Sequence, residues 1–242
     1  MLDGDYVRRA VAEFVGAFAL IFVGAGSAIY GNIEVAAFAN GLVIAVMVSA
    51  VGFISGGHFN PAVTLGFLVT RRISGPLAAV YWLAQFGAAA LAALLLRWVL
   101  PPPATLRSGV PALVAQLSSG KGVVIEAVLT FFLVWVIFAT AADARGTFKQ
   151  IAGLAIGLTI VLDVLMGGGL TGAAMNPARA FGPELVDKRW ADAWVWYVGP
   201  ASGAVIAAVL YELLYLRPLQ PAPVGPPETG VEEPAPGEAA AS

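Results

Sequence analysis

The tripeptide Asn-Pro-Ala occurs twice in this chain, as Asn60-Pro61-Ala62 and Asn176-Pro177-Ala178. Each copy follows a Gly-rich approach, Ser55-Gly56-Gly57-His58-Phe59 in the first case and Gly167-Gly168-Gly169-Leu170-Thr171-Gly172 in the second. Proline suits the first turn of a helix, where its missing N–H has no intrahelical partner to lose. Asparagine immediately before it is a good N-cap. Each copy therefore starts a helix, near 60–70 and 176–187, and each helix is about half the roughly 20 residues that a membrane crossing needs. The pattern predicts two short helices that begin inside a membrane protein with their electropositive N-termini held in place. Paired broken helices at matching positions of two halves point to a permeation site.

Composition places the chain in a membrane. Hydrophobic residues make up 59% and charged residues 12%, against about 25% charged in an average soluble domain. A net charge of −2 gives no case for nucleic-acid binding. Cysteine is absent, which excludes disulfides, cysteine nucleophiles and thiolate metal sites. A single histidine, His58, cannot build a multi-His metal centre, and no cofactor is expected. Six apolar stretches are long enough to span, near 7–29, 36–54, 77–99, 122–142, 150–167 and 193–216. The polar start, Met1 to Arg9, leads straight into the first and fits a retained transmembrane helix better than a cleaved signal peptide. The expected fold is all-α: six transmembrane helices plus two re-entrant half-helices, whose irregular approaches survive at membrane depth only inside protein or along a wet cavity.

The two halves, about 7–99 and 122–216, read as a repeat. Ala12-Glu13-Phe14-Val15-Gly16 opens the first and Ile125-Glu126-Ala127-Val128-Leu129 the second. Each glutamate is followed by an apolar helix, another helix, a Gly-rich loop and Asn-Pro-Ala. Three spans per half is an odd number, so the second half crosses in the opposite sense and the repeat is inverted. Lys and Arg in the short loops set the orientation. With the N-terminus inside, Arg8, Arg9, Arg71, Arg72, Arg145, Lys149 and Arg217 lie on the inner face, and Arg107, Lys121, Lys188 and Arg189 on the outer. Both termini are then cytoplasmic. Residues 1–216 form the channel-like domain, and 217–242, rich in Pro, Ala, Gly and Glu, read as a disordered tail.

At this point the chain resembles the aquaporin (major intrinsic protein) family from about Val7 to Leu216. The resemblance is carried by Ala12-Glu13-Phe14, by the run from Ser55 to Thr64 and by the run from Gly172 to Pro183. It implies an hourglass pore in each protomer, a homotetramer in membrane lipid, and water with small neutral solutes as the passengers. Asn60 and Asn176 would meet at the membrane centre, each capping its own helix and donating into the lumen. The two positive helix ends would repel cations and protons. Arg179, one turn along the second half-helix, is costly at that depth unless it is hydrogen-bonded and faces a polar lumen. By resemblance it belongs to an outer selectivity filter, whose other positions fall on Asn40, Val164 and Ala173. Narrow water channels of the family carry an aromatic and a histidine where this chain has Asn40 and Val164, and glycerol channels carry two aromatics. The set looks like that of wider, mixed-selectivity members such as plant vacuolar aquaporins. Ala180, in place of the aspartate of glycerol facilitators, and the pair Trp196-Tyr197 look more like water channels. An interfacial aromatic belt explains that pair equally well.

His58 is expected at the cytoplasmic mouth as a lining residue, with Gly56, Gly57 and Phe59 offering carbonyls beside it. A pH-gating role for His58 is the sharper alternative. Glu13 and Glu126 are expected to accept hydrogen bonds from backbone N–H groups of the re-entrant loops. Asp163 and Glu184 fit no position of this scheme. Gly16, Gly24, Gly87, Gly157 and Gly203 are read as close-packing positions between helices. The leading function is a passive water channel with relaxed selectivity. The alternatives are a facilitator mainly for glycerol, urea or ammonia, and a non-conducting scaffold. Absent cysteine, compact loops and a short N-terminal segment suggest a prokaryotic plasma membrane.

Overall fold

A computed structural model describes residues 4–102, 104–145 and 151–219. Six helices are long and apolar enough to span a membrane: α1 (Gly4–Tyr30), α2 (Ile33–Ser55), α4 (Gly75–Val99), α5 (Ser119–Ala142), α6 (Ala152–Thr171) and α8 (Val195–Leu216). Between them lie the two half-helices, α3 (Pro61–Val69) and α7 (Pro177–Asp187). The order within each half is span, span, half-helix, span. Local signals set the boundaries. Asn32 caps α2 by accepting from the Val35 N–H, and Ser74 caps α4 by accepting from Leu77. Gly56 and Gly172 end α2 and α6 in the left-handed conformation that favours glycine.

The fifth span differs from its expected range. Helix α6 continues through Gly167-Gly168-Gly169 to Thr171, so this run is not a loop. The turn is made by Gly172 alone. A Cβ on Gly167 would come within 2.5 Å of the Leu129 side chain, so the glycine serves helix packing there. At the other end, Arg217–Leu219 add a 3-10 turn where the tail was expected to begin. The remaining tail, 220–242, and Lys149 lie outside the described residues.

The helices meet through small residues, as lipid-embedded helices do when van der Waals packing drives their association. Helices α2 and α6 cross where Gly41 and Gly157 face each other; a Cβ on either would overlap the carbonyl of the other. Helix α8 lies against α5 through Gly203, where a Cβ would overlap the Ala127 carbonyl, and through Gly199, where a Cβ would come within 2.7 Å of the Glu126 Cβ. An alanine stripe on α4 (Ala88, Ala89, Ala92, Ala93) is fully buried. Against it α7 seats Gly182, which has no room for a side chain beside the Ala89 carbonyl. The outward faces are apolar, with Phe53, Leu83 and Trp98 all more than three-quarters exposed. In water such a surface would drive association, and in lipid it is the solvated face.

At the face where α1 begins and α8 ends, side chains tie the connections down. Arg72 Nε lies 2.7 Å from Glu212 Oε2. Arg145 makes a two-pronged pair with Asp143 and donates to the Tyr215 carbonyl at 3.2 Å. The Tyr211 hydroxyl donates to the same Asp143.

Candidate permeation site

The two approach loops repeat one another atom for atom where it matters. Gly56 and Phe59 have φ of 96° and 49°; Gly172 and Met175, at the matching steps, have 84° and 51°. Gly57 at 65° corresponds to Ala173 at 43°. Left-handed backbone is unfavourable for Phe, Met and Ala, so something must hold it. That something is a buried carboxyl in each half. Glu13 accepts from the backbone N–H groups of His58 (2.9 Å) and Phe59 (2.6 Å), from the Ser55 hydroxyl and from the Gln85 amide. Glu126 accepts from Ala174 (3.0 Å), Met175 (2.8 Å) and the Thr171 hydroxyl (2.6 Å). Both glutamates are fully buried.

These loops bring Asn60 and Asn176 face to face. Each asparagine is extended and caps its own helix: Asn60 Oδ1 accepts from Ala62, and Asn176 Oδ1 accepts from Ala178 and Arg179. Each also donates across the centre. Asn60 Nδ2 bonds the Met175 carbonyl and Asn176 Nδ2 bonds the Phe59 carbonyl, both at 2.9 Å. An amide has two N–H donors, so each asparagine retains one that these cross-links do not use. The half-helices are thus locked N-terminus to N-terminus by reciprocal bonds.

Two adjoining cavities lead to this centre from one side. A funnel of about 240 Å³ opens on the face away from the start of α1, with Asn32, Ala36, Ser108 and Pro111 in its wall. Below it, a chamber of about 30 Å³ reaches Asn60 and Asn176 between the apolar side chains of Leu20, Ile44, Leu133, Ile156 and Ile160. That is room for one or two waters. Four residues border both spaces: Asn40, Val164, Ala173 and Arg179. On the opposite side a vestibule of about 420 Å³ is bounded by Ser49, Gly52, Gly56, Phe67 and Thr140. The Arg179 guanidinium donates from Nη1 to the Gly109 carbonyl at 2.9 Å. Gly109 closes the 3-10 turn Leu106–Gly109, so the long connection after α4 folds back to hold the arginine.

The other singled-out residues are placed as follows. The Phe59 ring is buried against Gly16, and only its carbonyl faces the centre. Gly56 borders the vestibule, while Gly57 packs against Gly52. His58 Nδ1 is 3.0 Å from Thr64 Oγ1, and its ring lies against Phe67 and Tyr81. Trp196 is buried and donates to the Thr171 carbonyl at 2.9 Å. Tyr197 donates to Glu184 Oε2, which gives Glu184 a place, although Glu184 Oε1 has no partner among the described residues. Asp163 is buried beside the second half's carboxyl site and lines neither the funnel nor the chamber, and its Oδ2 has no hydrogen-bond partner among the described residues.

Several residues that build the site carry no motif. Gly109 is one. Tyr81 is another: it donates to the carbonyl of Ser55, just before Gly56, as Trp196 does to the carbonyl of Thr171, just before Gly172. Aligning the halves of the repeat on the two Asn-Pro-Ala motifs pairs Ser55 with Thr171, each five residues before its asparagine. No sequence signal marks Gly109.

Two re-entrant helices that meet end to end, with a funnel and chamber leading to the contact from one side and a vestibule on the other, have the architecture of a channel. The chain belongs to the major intrinsic protein family, whose model matches residues 3–211. It is 42% identical over 228 residues to aquaporin TIP4-4 of Zea mays, covering 88% of this chain and 89% of that one. It is 40% identical to the probable aquaporin TIP3-2 of Arabidopsis thaliana, covering 88% and 85%, and 38% identical to aquaporin-4 of Mus musculus, covering 86% and 67%. Its fold matches the X-ray structure of the aquaglyceroporin from Plasmodium falciparum with a TM-score of 0.77 at 23% identity, covering 88% of this chain and 98% of that one. The protein is therefore an integral membrane channel of this family and not an enzyme.

Proposed function

We propose that this channel passes water in single file and also admits small neutral solutes, with Asn40, Val164, Ala173 and Arg179 as its selectivity filter. The observation that carries the reading is that these four residues border both the funnel and the central chamber. The filter has one cation, one amide and two small apolar side chains. Among the described residues no aromatic ring borders it, so urea-sized or glycerol-sized molecules meet a polar side and a small apolar side. Below it, Asn60 and Asn176 offer their remaining amide protons to the same passing oxygen, which turns each water so that its own protons point away. The positive ends of α3 and α7 face the same point and add a barrier to cations. Gly56 and the carbonyls near His58 continue the path as acceptors, and His58 is a passive wall held by Thr64.

The finer placement follows from charge and resemblance. Arg71, Arg72, Arg145 and Arg217 share one face, which supports cytoplasmic termini in a plasma membrane; the cysteine-free chain with compact loops supports a prokaryotic one. The apolar outer surface suits lipid on most sides and three further copies in a homotetramer.

Stopped-flow light scattering on proteoliposomes tests the reading. Water, urea and glycerol fluxes above those of protein-free vesicles support it. Fast water flux with both solutes at the bare-lipid rate reduces the protein to a strict water channel and removes the wide-filter argument.

A further inference from the structure

We propose that Gly24, behind the filter and outside its wall, sets the filter's aperture by giving the Asn40 amide a notch to retract into, so that Asn40 presents only its acceptor oxygen to solutes. Helix α1 departs from α-helical geometry at Leu20–Ala25, where it makes a π-helical turn. Such turns offset the hydrogen-bond ladder and release carbonyls from it. The Gly24 carbonyl accepts from the Ser27 hydroxyl at 2.8 Å and from Asn40 Nδ2 at 3.4 Å. Asn40 Nδ2 gives its other proton to the Ala36 carbonyl at 2.8 Å. Both amide protons are therefore committed to backbone, and Oδ1 has no hydrogen-bond partner among the described residues. Reversing the amide would set an oxygen against two carbonyls, so the chemistry allows one orientation only.

The notch itself is the missing side chain of Gly24. A Cβ there would lie 2.7 Å from Asn40 Cγ and would overlap Oδ1. Carbon atoms at optimal separation sit about 3.5–4.0 Å apart, so the amide would have to move by about 1 Å. On its other side α1 packs closely on α4, where a Cβ on Gly26 would lie 3.1 Å from Leu96 Cδ2, so recoil of the helix has little room. The free space bordering Asn40 is the funnel and the chamber, so a displaced amide enters the lumen toward Arg179. With the amide seated, the filter offers a donor on the Arg179 side and an acceptor on the Asn40 side. That pairing favours solutes that both donate and accept, such as ureas and polyols, over those that only accept. This inference rests on Asn40 being a filter residue.

The test uses four full-length proteins in proteoliposomes: wild type, Gly24→Ala, Asn40→Ala and the double variant. Expected are a loss of most channel-mediated urea and glycerol flux in Gly24→Ala, a smaller loss of water flux, and recovery of flux in the double variant, which has no amide to displace. Water flux alone carries the comparison if the wild type excludes the solutes. Wild-type fluxes in Gly24→Ala overturn the proposal. So does a double variant as slow as Gly24→Ala, because the damage would then lie in helix packing. Unchanged flux in Asn40→Ala would sink the filter reading itself, and this inference with it.

Discussion

Removing the Glu126 carboxyl should close the channel by releasing the loop before the second half-helix. In Glu126→Ala the backbone N–H groups of Ala174 and Met175 lose their acceptor, and both residues are buried. The Thr171 hydroxyl retains an alternative in the Gly167 carbonyl at 3.5 Å, so it is left out of the count. Each orphaned buried donor costs about 1–3 kcal/mol, which gives about 2–6 kcal/mol for the pair. The loop it holds includes two non-glycine residues with left-handed backbone, Ala173 and Met175, so relaxation has a favourable direction. Relaxation would also withdraw the Met175 carbonyl from Asn60 and uncouple the two half-helices. Glu126→Gln keeps one oxygen. Placed at the Oε1 position it serves Thr171 and Ala174 and orphans only Met175, for about 1–3 kcal/mol. Thermal unfolding in detergent and water permeability in proteoliposomes should therefore rank wild type, then Glu126→Gln, then Glu126→Ala, with the last near the bare-lipid rate. A Glu126→Ala protein that unfolds and conducts like wild type would refute the reasoning. Equal damage from both variants would show that charge, not acceptor count, holds the loop.

Arg179→Ala should widen the filter and relax cation exclusion, read as raised urea flux and measurable cation leak; unchanged selectivity would remove Arg179 from the filter. Mercurials should leave water flux in pure protein untouched, because the chain has no cysteine to modify; reversible mercury block would contradict this. At the tethered face, Arg145 holds the Asp143 carboxyl down at about 2, below its ordinary 3.8. A depressed carboxyl contributes stability that is present above about pH 4 and lost as pH falls toward 2. Asp143→Asn should therefore lower the unfolding temperature at neutral pH and flatten its fall on acidification, whereas an unaltered acid limb would place the effect elsewhere.

The six spans, the two half-helices and the inversion of the repeat were legible because each rests on a local rule. Span length follows from apolar composition, and the half-helices follow from a cap and a proline. The triple glycine before Thr171 misled in the way such runs do: glycine reads as a loop signal, but here Gly167 leaves room for Leu129 and the helix continues. Glu13 and Glu126 were readable as loop holders because they recur at matching positions. Gly109 was not, since a backbone carbonyl that meets an arginine 70 residues away leaves no trace in side-chain pattern.

The amino-acid sequence by itself determined that this protein spans a membrane, that its two halves are inverted copies, and that each half starts a helix at Asn-Pro. These follow from transfer energies and from backbone geometry within a few residues. Only the tertiary structure decided which groups meet: Asn60 with the Met175 carbonyl, Asn176 with the Phe59 carbonyl, Arg179 with Gly109, and Asn40 with the space left by Gly24. Those contacts join residues from 16 to 117 positions apart. What they share is a buried polar group that must find its partner wherever the packed helices place one, because neither lipid nor core can supply it.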